Sequence, residues 1–297
     1  MTAKLTEMSA PLQPADPRFL SVTHRQVRRA RKVNRLWKRL HGWLRFTAET
    51  TVVKPTGALP PEWLRTRVAG TPNADWFDSS GRQSVDDYRL ALSRIGRRIE
   101  DFDRVLDFGC GCGRVLRWLG DLPPTTSVHG CDIDPEAVEW LRSDLPHFAV
   151  LRNEPLPSLE YRSASFDLVL CHSVFTHLDE AYQDAWLQEL CRVTVDDAIL
   201  LISFMGDHAF AKRVHEEASL AATPELLRAE RNREGLLFLP GDDVGLPDFY
   251  QTTYHANWYV FEHWSRYFNV LAHVERGALN YQDLLVLKRP RRTKQSG

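Results

Sequence analysis

Apolar positions first fall at helical spacing in residues 24–47, where Val33, Leu36, Trp37, Leu40, Trp43 and Leu44 form one stripe. Arg28, Arg31, Arg35, Lys38, Arg39 and Arg45 occupy much of the remaining surface of that segment. Pro55, Gly57, Pro60, Pro61, Gly70, Pro72 and Gly81 then punctuate a stretch that reads as irregular connection. Helical spacing resumes from Ser84 through Tyr88, Leu92, Ile95 and Ile99. It leads into RVLDFG (104–109), a short β-branched and aromatic run that enters a glycine-rich turn, with helix-like CGRVLRWLG behind it. Strands are expected at SVHGCDI, near HFAVLR, at SFDLVLCH and at DAILLISF, with helices at PEAVEWLRSDL and from about Asp179 to Arg192. Strands alternating with helices of this length predict parallel pairing through right-handed crossovers, hence a doubly wound, mostly parallel α/β sheet with helices on both faces. Helical segments around 208–233, an aromatic-rich stretch over 249–268 and two last strand candidates, FNVLAHVE and QDLLVLKR, follow. The pattern divides the chain into a basic helical extension with its connecting segment (1–80) and one large domain (81–297). Within that domain a ligand-binding half spans about 84–205, and a lid with the final strands about 206–290.

Composition changes this picture little; the distribution of charge changes it more. Apolar content of 43% and charged content of 26% over 297 residues are those of an ordinary globular protein. Neither a membrane-length apolar run nor a signal-peptide core stands out, so a cytoplasmic setting is expected. The net charge of −1 hides an asymmetry: residues 1–48 carry 11 Lys and Arg against 2 acids, and residues 288–297 carry 5 basic residues and no acid. The intervening body is therefore strongly acidic, which argues against nucleic acid as a partner, because a phosphate-tracking groove needs the opposite sign. Residues 24–47 could instead lie on an anionic membrane surface, peripheral to the inner face, or simply cap the domain. Cys110, Cys112, Cys131, Cys171 and Cys191 show no zinc-like spacing and are expected to be reduced structural thiols, with no metal site.

The chemistry is concentrated in Asp107-Phe-Gly109-Cys-Gly111-Cys-Gly113-Arg114, where a strand gives way to a helix. Glycines there permit a sharp turn and close approach of a ligand, and a helix N-terminus offers unpaired amide donors. The spacing is G-x-G-x-G, with Arg114 where the dinucleotide fingerprint G-x-G-x-x-G has its last glycine, which weakens a nicotinamide reading. Nineteen residues beyond Gly113, Asp132 ends the next strand, placed to accept hydrogen bonds from both ribose hydroxyls.

At these residues the chain resembles the class I S-adenosylmethionine-dependent methyltransferases. VLDFGCGCGR is similar to their first motif, GCDIDPEAVEWL to the second strand and helix, and SFDLVLCHSVFTHL to the fourth strand and its loop. The resemblance implies a Rossmann-like fold and S-adenosylmethionine as cofactor, with S-adenosylhomocysteine as product. It implies that Asp107, Gly109, Gly111 and Gly113 cradle the methionine portion, Asp132 binds the ribose, Ile133 packs on the adenine and Asn153 touches its amino group. His172 falls where the family lines the donor and acceptor pocket. Val195-Asp196-Asp197 replaces the Pro-Gly-Gly turn many relatives have before the fifth strand. A closer resemblance, carried by HSVFTHLDEAYQDAWLQEL and YQDLLVLKR, is to bacterial members associated with glycosyltransferases and surface-glycan assembly, and it implies a sugar or other hydroxyl-bearing small molecule or glycan as acceptor.

A hydroxyl acceptor must lose its proton, and a histidine near neutral pKa can take it. His172 and His177 flank the loop after the fourth strand, and His255 sits in the aromatic stretch Phe249–Tyr259, which reads either as pocket lining or as a buried lid. Each histidine has a structural alternative, a hydrogen bond at a strand end or a pin between loop and helix. A catalytically silent, partner-binding relative and a nicotinamide-dependent oxidoreductase are the rival readings, and the oligomeric state is left open.

Overall fold

A computed structural model describes residues 54–216, 224–239 and 249–291. The predicted basic stripe over 24–47 lies outside the described residues, as does most of the basic tail. Two helices come first, α1 (Glu62–Ala69) and α2 (Ala74–Ser93), then β1 (Arg104–Phe108), β2 (Ser127–Asp132), α3 (Pro135–Asp144), β3 (Ala149–Arg152) and β4 (Phe166–Cys171). They are followed by α4 (Glu180–Val193), β5 (Thr194–Phe204), α5 (Asp207–Glu216), α6 (Pro224–Glu234), β6 (Leu236–Leu239), β7 (Thr252–His255), α7 (Asn257–His263), β8 (Asn269–Ala278) and β9 (Gln282–Lys288).

Seven strands form one sheet in the order β3-β2-β1-β4-β5-β9-β8. β1 to β5 pair in parallel, and β9 and β8 add an antiparallel hairpin beyond β5. This is the expected doubly wound α/β arrangement. The chain winds outward from β1 through β2 to β3, then returns to place β4 on the other side of β1. Such a reversal opens a crevice at the carboxyl ends of β1 and β4, where folds of this kind bind ligands.

Alternating side chains feed two cores. Leu168, Leu170, Leu284 and Val286 pack with Val85, Tyr88 and Leu92 of α2 on one face, while Val169, Cys171, Leu285 and Leu287 pack with Trp186, Leu187 and Leu190 of α4 on the other. Helix starts follow local chemistry. Asp134 accepts the backbone N–H groups of Glu136 and Ala137 with Pro135 in the first turn, and Asp179 accepts that of Tyr182.

The structure departs from the sequence reading in two places. Residues 55–81, expected as irregular connection, contain α1 and the first eight residues of α2. Gly81 is no breaker there: a Cβ on it would collide with the carbonyl of Arg114, so glycine lets α2 lie directly on the turn after β1. The helix expected after that turn is only a three-ten turn over Leu116–Leu119.

Candidate functional site

The turn after β1 is held from below by the end of β2. The backbone N–H groups of Gly109 and Cys110 both donate to the carbonyl of Cys131 at 2.9 and 3.0 Å. Gly109, Gly111 and Gly113 have φ of +76°, +52° and +84°, all in the left-handed region that favours glycine. Space is as demanding as backbone: a Cβ on Gly109 would overlap Val174, and one on Gly111 would overlap Val68 of α1. Val68 and Val174 thus form apolar walls above the turn.

Asp132 ends β2 beside it. One carboxylate oxygen accepts the N–H of Gly111 at 2.6 Å and the other that of Asp134 at 2.9 Å. Burial pushes its pKa up against those two bonds, which pull it down. Ile133 is half-buried next to it. Asn153 is close by, its N–H donating to the carbonyl of Asp132 at 3.0 Å, but its side-chain amide is turned onto the carbonyl of Glu154 at 2.9 Å. Arg67 of α1 clasps the far rim, with Nε 2.8 Å from Asp134 and Nη1 on Glu136.

Asp107 is buried inside the crevice with one oxygen lacking any partner, and burial raises its pKa to about 7 against the pull of Arg114. Nδ1 of His172 and the hydroxyl of Tyr88 are likewise buried and unpartnered. Burial first, and the charge of Arg114 second, push His172 well below the usual histidine range.

The three predicted histidines separate. His177 is half-buried, and its Nδ1–H donates to the carbonyl of Gln251 at 2.9 Å while its carbonyl accepts the N–H of Gln251 at 3.0 Å. Tyr250 stacks on its ring at 4.3 Å and 14°. Burial first, and the charge of Asp132 second, raise the phenol's pKa. His255 has no exposed surface, its Nε2 lies 2.9 Å from the Gln183 amide, and Phe204 and Trp264 pack edge-on against it. Burial, with Arg231 adding, lowers its pKa to about 3. The aromatic stretch around it divides similarly, with Tyr254, Tyr259 and Trp264 buried while Tyr250 is half-buried on the His177 ring. Sequence reasoning gave no role to Val68, Tyr88 or Arg114; only Arg114, standing where a glycine was expected, carried a signal.

The residues present fit S-adenosylmethionine. A cradle without Cβ atoms, an acid at the end of β2 and an unpartnered buried oxygen on Asp107, just before the turn in sequence, suit an adenosyl amino acid. Residues 105–197 match a family model described as a methyltransferase domain. Among solved structures, the chain is similar to the PH0226 protein of Pyrococcus horikoshii OT3, at 16% identity over 72% of this chain and 95% of that one, with a TM-score of 0.50. That likeness concerns the fold. A S-adenosylmethionine-dependent methyltransferase of Methanosarcina mazei (17% identity, 64% and 93% covered, TM-score 0.47) is also similar. So is human N-acetylserotonin methyltransferase in complex with its donor (14%, 78% and 61%, 0.46). Fold, cradle and domain match define a class I S-adenosylmethionine-dependent methyltransferase. S-adenosylmethionine is its cofactor.

Proposed function

We propose that the chain O-methylates a sugar or another hydroxyl-bearing small molecule or glycan, with His177 as the base. Bound S-adenosylmethionine supplies a methyl group on a sulfonium, and transfer leaves S-adenosylhomocysteine. Asp107, Gly109, Gly111 and Gly113 hold the methionine portion, Asp132 the ribose, and Ile133 the adenine, with Asn153 at its edge. The main work of the protein is to hold the acceptor oxygen in line behind the methyl carbon. As the carbon–oxygen bond forms, the hydroxyl proton passes to Nε2 of His177.

The carrying observation is the bond from Nδ1–H of His177 to the Gln251 carbonyl, which fixes the tautomer with the lone pair on Nε2. His172 is the weaker base, because a pKa far below the working pH gives little drive for proton transfer. The sugar class is supported by the resemblance of 172–190 and 281–289 to glycan-assembly enzymes. Labelled methyl transfer to a panel of sugars, nucleotide-sugars and lipid-linked saccharides tests the proposal. Transfer only to amine or thiol acceptors would end it. Contact of residues 24–47 with anionic membrane is proposed on sequence alone.

A further inference from the structure

We infer that Gln282, the first residue of β9, is a positioning residue for the loop after β4. Acting through Ser173, it lays Val174 on the glycine turn and sets the three-ten turn that carries His177. The inference rests on the S-adenosylmethionine reading of the glycine turn, and it gives a task to a residue from beyond β5.

Ser173 stands two residues past the end of β4 with a φ of +61°, in the left-handed region. For a residue with a Cβ that backbone is disfavoured about five- to thirtyfold. It persists only where the surroundings enforce it.

The enforcement is a closed ring of hydrogen bonds across the ends of three strands. The backbone N–H of Ser173 donates to Oγ of Ser203 on β5 at 2.8 Å, and the Ser203 hydroxyl donates to Oε1 of Gln282 at 2.7 Å. Nε2 of Gln282 then donates back to Oγ of Ser173 at 2.9 Å. Oγ1 of Thr176 lies 3.0 Å from the same Ser173 hydroxyl. Ser203 and Thr176 have no exposed surface, and Gln282 is buried. A side-chain amide is the neutral group that accepts at one end and donates at the other, as this ring requires. Backbone and side chain of Ser173 are both held, so the chain leaves β4 in one direction.

That direction matters twice. Val174 comes next, and its Cγ2 lies where a Cβ on Gly109 would be, 2.2 Å from that position, so the side chain rests directly on the glycine turn. The Val174 carbonyl then accepts the N–H of His177 at 3.0 Å, closing the three-ten turn Phe175–His177. Gln282 thereby reaches the cofactor cradle and the proposed base from a strand that β5 separates from β4.

Calorimetry with S-adenosylhomocysteine on the full chain tests the ring, beside thermal unfolding to show that each variant is folded. Gln282→Met keeps the length of the side chain and removes the amide. Its affinity should fall about five- to thirtyfold, because binding must then restore the left-handed residue that the ring holds in wild type. Adding Ser173→Gly should return most of that affinity, since glycine takes this backbone without help. Ser203→Ala removes one buried oxygen and is the milder route to the same loss and the same recovery, should Gln282→Met fail to fold. A folded Gln282→Met or Ser203→Ala with wild-type affinity overturns the proposal, because the ring would then add stability alone. A loss that Ser173→Gly does not return also overturns it, since the effect would not run through Ser173. Wild type that does not bind S-adenosylhomocysteine fails the cofactor reading itself, a result distinct from both.

Discussion

Asp132 accepts the backbone N–H of Gly111 at 2.6 Å, so the acid at the end of β2 and the turn after β1 form one rigid unit. The carboxylate proposed to receive the ribose is thereby held in place by the turn itself. Asp132→Ala should weaken S-adenosylhomocysteine by roughly 1–3 kcal/mol, about ten- to a hundredfold, through lost ribose bonds and a loosened turn. Asp132→Asn keeps an oxygen that can hold Gly111 and should fall between the two. Calorimetric titration of both variants checks the order; unchanged affinity in a folded Asp132→Ala would refute the ribose assignment.

Gly111 is constrained twice, by a φ of +52° and by Val68 above it. Gly111→Ala should cost about 1–2 kcal/mol for the left-handed backbone and a further 1–3 kcal/mol for overpacking. Adding Val68→Ala should return the packing part and leave the backbone part. Thermal unfolding of the single and double variants separates them, and no recovery in the double variant would mean that α1 does not sit on the turn in solution.

The strand, the glycine turn and the acid were legible in the sequence because each is a local pattern whose geometry follows from residue type and spacing. The contact of Arg114 with Ser80 and Ser84 of α2 was not, since long-range convergence leaves no spacing to read. α1 and the first eight residues of α2 were missed for a related reason. Gly81 signals a break when read alone, and only its contact with the Arg114 carbonyl shows that it serves close packing. Aromatic density around His255 looks the same whether it lines a pocket or fills a core, so its zero exposure could not be read from the sequence.

Asp107 gives the site a pH signature. Burial raises its pKa from 3.8 to about 7, so the folded protein without ligand holds a proton that the unfolded chain has already lost. Its contribution to stability therefore falls as pH rises through the window from about 4 to about 7, and above that window the buried charge carries its full cost. Asp107→Asn should raise the melting temperature at pH 8 and leave it nearly unchanged near pH 4. An ammonium ligand needs the ionised acid, so S-adenosylhomocysteine affinity should fall about tenfold per pH unit below the pKa in wild type and stay flat in the variant. A wild-type affinity independent of pH between 5 and 8, roughly the span over which this acid titrates, would contradict the ammonium contact.

The assignment of the base is tested by comparing three histidines in one set of experiments, using an acceptor found by the labelled-donor panel. His177→Ala removes the base but also the bond to Gln251 and the surface on which Tyr250 stacks. His177→Asn is the sharper variant, because its amide can still donate to the Gln251 carbonyl while offering no basic nitrogen. It should lower turnover about 10²- to 10⁴-fold with S-adenosylhomocysteine affinity nearly unchanged, and it should lose the acid limb of the pH–rate profile. His172→Asn should leave that limb in place, since a histidine pushed well below the usual range stays neutral throughout it. His255→Asn should instead lower the melting temperature, because it disturbs the contacts with Gln183, Phe204 and Trp264, and its turnover should fall only as the folded fraction falls. If His177→Asn keeps its rate and its acid limb, proton transfer to His177 is wrong, and orientation of the acceptor behind the methyl group has to carry the whole rate enhancement.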